Sequence, residues 1–127
     1  MDREYSETLK DHFRNPRGVG DVDRPNAEAR FVSPVHGDEL RLTFAIEGDR
    51  IAKVRFRCRG CVVAIAAASV ATTLLEGRTV AEALDLTDEE VVAALDGVPE
   101  AKRRCSLIVA ETARAALGRF ACPSPGT

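Results

Sequence analysis

The sequence predicts an α+β fold, a small antiparallel β-sheet of about three strands covered on one face by helices. Three observations carry this. Apolar and polar residues alternate through 40–58, a dense Ala-rich run follows Cys61, and the last third places apolar residues at helical spacing. We find no internal repeat and no low-complexity tract.

Tyr5, Leu9 and Phe13 recur at helical spacing before Asn15-Pro16, so a short first helix ends there. Gly18 and Gly20 open a long polar loop through Arg24-Pro25-Asn26 to Ser33-Pro34, in which Phe31-Val32 is the only expected strand fragment. Leu40, Leu42, Phe44 and Ile46 then alternate with Arg41 and Thr43, Glu47-Gly48-Asp49 turns the chain, and Ala52, Val54, Phe56 and Cys58 share a face of the return strand. That is an antiparallel hairpin with Lys53, Arg55 and Arg57 outward. The run from Ala64 to Glu76 is apolar nearly all round and closed by Gly77, as a buried core helix should be. Thr79 and Thr87 start two shorter helices, and Glu90 completes a capping box with Thr87. The last helix begins near Cys105 and sets Val109, Ala113, Ala116, Leu117 and Phe120 on one stripe.

These elements fit one domain over residues 1–127, with 119–127 expected as a flexible tail. Eighteen Lys and Arg against twenty Asp and Glu give a formal charge of -2, so the chain as a whole has no electrostatic pull toward nucleic acid. The stretch from Val62 to Leu75 is broken by Ser69, Thr72 and Thr73 and is too short to span a bilayer, and the charged opening Met1-Asp-Arg-Glu-Tyr5 is unlike a secretory signal. A cytoplasmic address follows, and in that reducing setting Cys58, Cys61, Cys105 and Cys122 read as thiols or metal ligands.

Ligand-type side chains gather at element ends: His36-Gly37-Asp38 before the hairpin, Gly60-Cys61 after it, and Cys105 at the last helix. Helix N-termini favour thiolates, and Lys102, Arg103 and Arg104 add positive charge beside Cys105, so both thiols are expected to be more acidic than a free cysteine. Two thiolates, a carboxylate and an imidazole make four ligands for a soft metal. Cys58 reads as a packed thiol, with a ligand role or a redox pairing with Cys61 as the alternatives. His12 reads as structural, Cys122 as a tail thiol, and the stripe Lys53, Arg55, Arg57 and Arg59 as a solvated face able to receive an acidic partner.

Over nearly its full length the chain resembles the U-type iron-sulfur scaffold family, the proteins related to IscU and to the N-terminal domain of NifU. Tyr5-Ser-Glu resembles the family's start, Asp11-His-Phe-Arg-Asn-Pro-Arg-Gly-Val-Gly20 its helix-to-loop signature, and Gly37-Asp38 the end of its Cys-Gly-Asp motif. Phe56 to Ser69 resembles its second ligand motif, Arg104-Cys105-Ser106 falls where the family has His-Cys-Ser, and the separation of Cys61 from Cys105 suits the form without an inserted zinc-type loop. The resemblance implies a non-catalytic scaffold. A cysteine desulfurase delivers persulfide sulfur, iron arrives, and a [2Fe-2S] cluster forms and passes to acceptor or carrier proteins. It makes Asp38, Cys61 and Cys105 ligands, and Cys105, with its flanking cations, the expected persulfide acceptor.

Two positions depart from the pattern. His36 stands where the first family cysteine belongs, and Arg104, which cannot ligate, stands where a histidine does. The set His36, Asp38, Cys61 and Cys105 therefore suits either a zinc ion or a mixed-ligand [2Fe-2S] cluster, the latter with a raised reduction potential. A zinc-binding paralogue that regulates the desulfurase, or a persulfide carrier, are the alternative functions. Val98-Pro99-Glu100-Ala101-Lys102 only partly matches the family's chaperone-binding segment, so the resemblance supports a chaperone partner less than a desulfurase.

Overall fold

The structure, a computed structural model, describes residues 5–33 and 37–121. Helix α1, Glu7–Arg14, is capped by Ser6, whose Oγ accepts from the Leu9 N–H at 3.0 Å and donates to the Leu95 carbonyl. Leu9 and His12 lie three residues apart on its inner face and are buried. The chain then runs along the free edge of the sheet, where the Phe56 N–H donates to the Gly18 carbonyl at 2.7 Å and Gly20 returns a bond to the Phe56 carbonyl at 2.8 Å. Gly18 is required there. Its φ is +79°, and a Cβ would lie 2.8 Å from the Thr72 side chain.

Three strands form the sheet in the order β1 (Ala27–Val32), β2 (Glu39–Glu47), β3 (Arg50–Arg59), all antiparallel. The β2–β3 hairpin is as the alternation predicts, with an irregularity at Ala45/Ile46. The first strand is longer than the Phe31-Val32 fragment expected. Ala27 and Ala29 are buried and Glu28 and Arg30 exposed, so the period of two is present but carried by methyl groups too small to stand out.

Leu42, Phe44 and Val54 have no exposure, and each contributes about 1.5–3 kcal/mol by leaving water. Against them lies α2, Val62–Leu75, which also packs on α1 and on the last helix and is buried on several sides, from Val63 through Ala66, Ala67, Ala68 and Ser69 to Leu75. Its Ala-rich surface lets its neighbours approach closely. His12 is structural, as read from sequence. Its Nδ1 lies 2.7 Å from Ser69 Oγ, which also accepts the Arg17 N–H at 2.8 Å, tying α1 and the following loop to α2.

Short helices α3 (Val80–Ala83) and α4 (Asp88–Ala94) follow, then a 3-10 turn over Glu100–Lys102 and helix α5, Arg103–Ala121. The full capping box sits at Thr79 and Glu82 rather than at Thr87. Thr87 Oγ1 accepts the Glu90 N–H at 3.2 Å, but the Glu90 carboxylate is taken by Arg78. Of the tail expected over 119–127, residues 119–121 are corrected, because α5 continues to Ala121, and 122–127 lie outside the described residues. Arg119 reaches back to donate to the Glu28 carbonyl at 2.5 Å and Phe120 packs against the core, which holds the last turn. Among the described residues no helix is long and apolar enough to cross a membrane.

Candidate metal centre

Cys61 is the N-cap of α2, with extended backbone (φ −77°, ψ 172°) that turns its sulfur toward the first helical turn. Cys105 lies in the first turn of α5. Packing of α2 against α5 brings the sulfurs to 3.4 Å, although 44 residues separate them in sequence. Asp38 arrives by another route. The Ser33 N–H donates to the Asp38 carbonyl at 2.8 Å and the Gly37 N–H to the Ser33 carbonyl at 2.9 Å, fixing Asp38 just ahead of β2. Gly60 makes room for it, since a Cβ there would meet Ala64 Cβ at 3.3 Å and lie 3.7 Å from both Asp38 Cγ and Cys58 Sγ.

At 3.4 Å two thiolates repel strongly, so the pair keeps one proton. The two sulfurs share that proton, and because the Ala64 and Val63 amides and Lys102 favour charge on Cys61 against the cost of burial, Cys61 is the better thiolate, with the Cys105 S–H as its hydrogen-bond partner. Cys61 is lowered to about 5. Cys105 moves the other way, because its proton is held by Cys61, burial disfavours its charge, and Asp38 adds repulsion that Lys102 only partly offsets. The expectation that both thiols are acidic is therefore corrected. Only Lys102 of the three expected cations acts on the sulfurs; the Arg103 guanidinium bonds Asp88 at 3.0 Å, and Arg104 is exposed. The signal for this was the acidic run Asp88-Glu89-Glu90, which offers Arg103 a partner.

Cys58 behaves as the strand alternation indicates. It packs against the core opposite Leu40, and burial, helped by the Cys61 and Asp38 charges, pushes its thiol up to about 11. With Asp38, Arg59, Ala64 and Cys105 it borders a cavity of about 30 Å³, room for about one water molecule. Among the described residues no three His, Cys, Asp or Glu side chains converge closely enough to hold a metal ion. Asp38 thus stands beside the thiol pair without completing a cluster with it. His36 and Cys122 lie outside the described residues.

The donor chemistry nevertheless fits a soft metal. Two tetrahedral thiolates at bond lengths of about 2.3 Å stand about 3.8 Å apart, so the 3.4 Å pair needs to open by only a few tenths of an ångström.

Comparison with known proteins gives the family. The family model of the NifU-like N-terminal domain matches residues 4–123. An iron-sulfur cluster assembly scaffold protein IscU of Archaeoglobus fulgidus is 37% identical over 113 residues, which cover 89% of this chain and 74% of that protein. The IscU scaffold of Aquifex aeolicus is 36% identical over 119 residues, covering 92% and 76%. The chain belongs to the NifU-like N-terminal domain family. Solved structures place the fold in the same group. The N-terminal part of a NifU-like protein from Brucella abortus superposes with a TM-score of 0.76 at 14% identity, covering 95% of this chain and 96% of that one. A putative scaffold protein for the SUF system from Fervidobacterium islandicum gives 0.75 at 22% identity, covering 89% and 96%. In this NifU-like domain, then, the family and the three-stranded α+β fold stand as the sequence indicated.

Proposed function

We propose that the chain is a scaffold on which iron-sulfur clusters are assembled and from which they are passed on. The observation that carries this is the Cys61–Cys105 pair, 3.4 Å apart at the N-terminal turns of two packed helices. The named function of the IscU relatives supports it. In this reading the cargo is a [2Fe-2S] cluster, Asp38, Cys61 and Cys105 are ligands, and His36, two residues before Asp38, supplies the fourth donor. Asp38, at the cavity rim, would have to move toward the sulfurs to complete the set.

Sulfur comes from the persulfide of a cysteine desulfurase. The nucleophile that receives it must be a thiolate, and in this reading that is Cys61, whose charge the Ala64 and Val63 amides and Lys102 favour, rather than the Cys105 expected from its flanking cations. The Cys61 sulfur attacks the outer persulfide sulfur, a new S–S bond forms on Cys61, and the desulfurase cysteine leaves as its thiolate. The scaffold turns nothing over and hands its cluster to acceptor or carrier proteins.

Anaerobic reconstitution with iron, cysteine and a desulfurase tests the proposal. It should give the visible absorption of a [2Fe-2S] centre, absent in Cys61→Ala and Cys105→Ala. Failure to form a cluster under all of these conditions, with zinc held instead, would favour the zinc-binding regulator of the desulfurase.

A further inference from the structure

Three arginines occupy one row of the sheet face turned away from the helices. Arg30 lies directly opposite Arg41, and Arg41 directly opposite Arg57, on three adjacent strands about 4.8 Å apart. Like charges placed directly opposite destabilise a sheet. Here Asp21, Glu28 and Glu39 offset the cost, Asp21 reaching Arg41 at 3.2 Å and Arg57 at 2.7 Å, and Glu28 reaching Arg41 at 2.8 Å. Above the row is a groove of about 790 Å³ whose lining includes five arginines, with Arg59 and Arg119 added, against two glutamates. With Asp21 counted, the face carries five arginines against three carboxylates, while the chain as a whole is at -2.

Two further features give the groove a direction. The Arg59 guanidinium has no ion-pair or hydrogen-bond partner among the described residues, so its charge is available. Glu39, Cys58 and Arg59 border both this groove and the small cavity beside Cys105, so the groove ends at the strand ends that wall the thiol site.

We propose that this arginine groove seats an acidic polypeptide segment of the protein that exchanges cargo with the thiol site. The carboxylates interleaved among the arginines favour a peptide over a nucleic acid. A phosphate backbone carries charge at every step and would meet Asp21, Glu28 and Glu39, whereas a segment with spaced carboxylates addresses the guanidinium groups and passes between them. Arg59 takes the carboxylate nearest the site. The partner's identity as a cargo protein rests on the function proposed above; the groove's preference for an acidic segment does not.

The test is fluorescence anisotropy with a short labelled peptide of alternating Glu and Thr, a Lys-Thr counterpart and a single-stranded oligonucleotide of equal length. The Glu-Thr peptide should bind, more weakly as salt is raised, and the Lys-Thr peptide should not. Arg57→Ala/Arg59→Ala should lose about tenfold in affinity, and Arg59→Ala, which breaks no ion pair, about threefold. Arg14→Ala, an exposed charge on α1, should bind as wild type. Equal affinity in all four proteins, or tighter binding of the oligonucleotide than of the Glu-Thr peptide, overturns the proposal. Reconstitution from inorganic iron and sulfide separates the two claims. Peptide binding by a wild-type chain that never holds a cluster upholds the groove and sinks the scaffold reading.

Discussion

Removing the Cys105 thiol should return Cys61 toward an ordinary cysteine. The hydrogen bond from Cys105, made at 3.4 Å, is the largest cause of the low Cys61 value of about 5. A free thiol titrates near 8.5, about 3.5 units higher. In Cys105→Ala the Ala64 and Val63 amides and Lys102 remain, so the midpoint should rise by about two to three units rather than by the whole difference. The thiolate fraction at pH 6.5 then falls from about 97% to between about 3% and 25%. The assay is the pH profile of iodoacetamide alkylation at Cys61 in metal-free protein, read by mass spectrometry of the modified peptide. The midpoint is the informative quantity, because intrinsic thiolate nucleophilicity rises as the pKa rises and blunts any single-pH rate. Cys105→Ser keeps a hydrogen-bond donor and should fall between the two. A wild-type midpoint near 8, or a midpoint still near 5 in Cys105→Ala, would refute the shared-proton pair.

Gly18→Ala forces a side chain into a φ of +79° with a Cβ 2.8 Å from Thr72, and should cost about 2–4 kcal/mol, read as a lower urea midpoint with unchanged slope. His12 is held below its ordinary value by burial, with Arg17 adding to the effect and Asp11 opposing it. Its neutral form is therefore favoured by folding, so the contribution is complete above about pH 6.5 and is lost as pH falls through the folded value. Urea midpoints should decline over that window in wild type and decline less in His12→Asn; equal slopes would remove the His12 term. Gly60→Ala puts a methyl group 3.3 Å from Ala64 and against Asp38 and Cys58. Reconstituted clusters should be lost faster from this variant in a chelator challenge, while the fold, checked by far-UV circular dichroism, is kept.

The hairpin and α2 were legible because their patterns are strong: strict alternation from Leu40 to Ile46, and an apolar run too long and too Ala-rich for a strand. Cys58 was placed correctly by the same alternation. The first strand was mostly missed, since Ala27 and Ala29 give little apolar contrast and are buried only because α5 packs close to β1. The early fraying assigned to 119–121 failed for a related reason. The bond from Arg119 to the Glu28 carbonyl spans 91 residues, and no local signal reports it.

The closeness of Cys61 and Cys105, and of Asp38 beside them, is what the structure adds to the sequence reading of the site. Element ends and the family resemblance pointed to Asp38, Cys61 and Cys105. Helix-terminus reasoning then treated each thiol alone and made both acidic. Their ionisation depends on a distance set by the packing of α2 against α5, which decides that the pair keeps one proton, while the amides at the start of α2 favour the charge on Cys61. The cation flank failed in the same way, with Arg103 drawn off by Asp88 and Lys102 left to act alone.

The central claim is that these sulfurs hold an iron-sulfur cargo. Metal and acid-labile sulfide content of the anaerobically purified protein tests it most directly. The account predicts iron and labile sulfide in equal amounts, both lost in Cys61→Ala. Zinc bound without labile sulfide, and unchanged by supplying iron and a desulfurase, would contradict it.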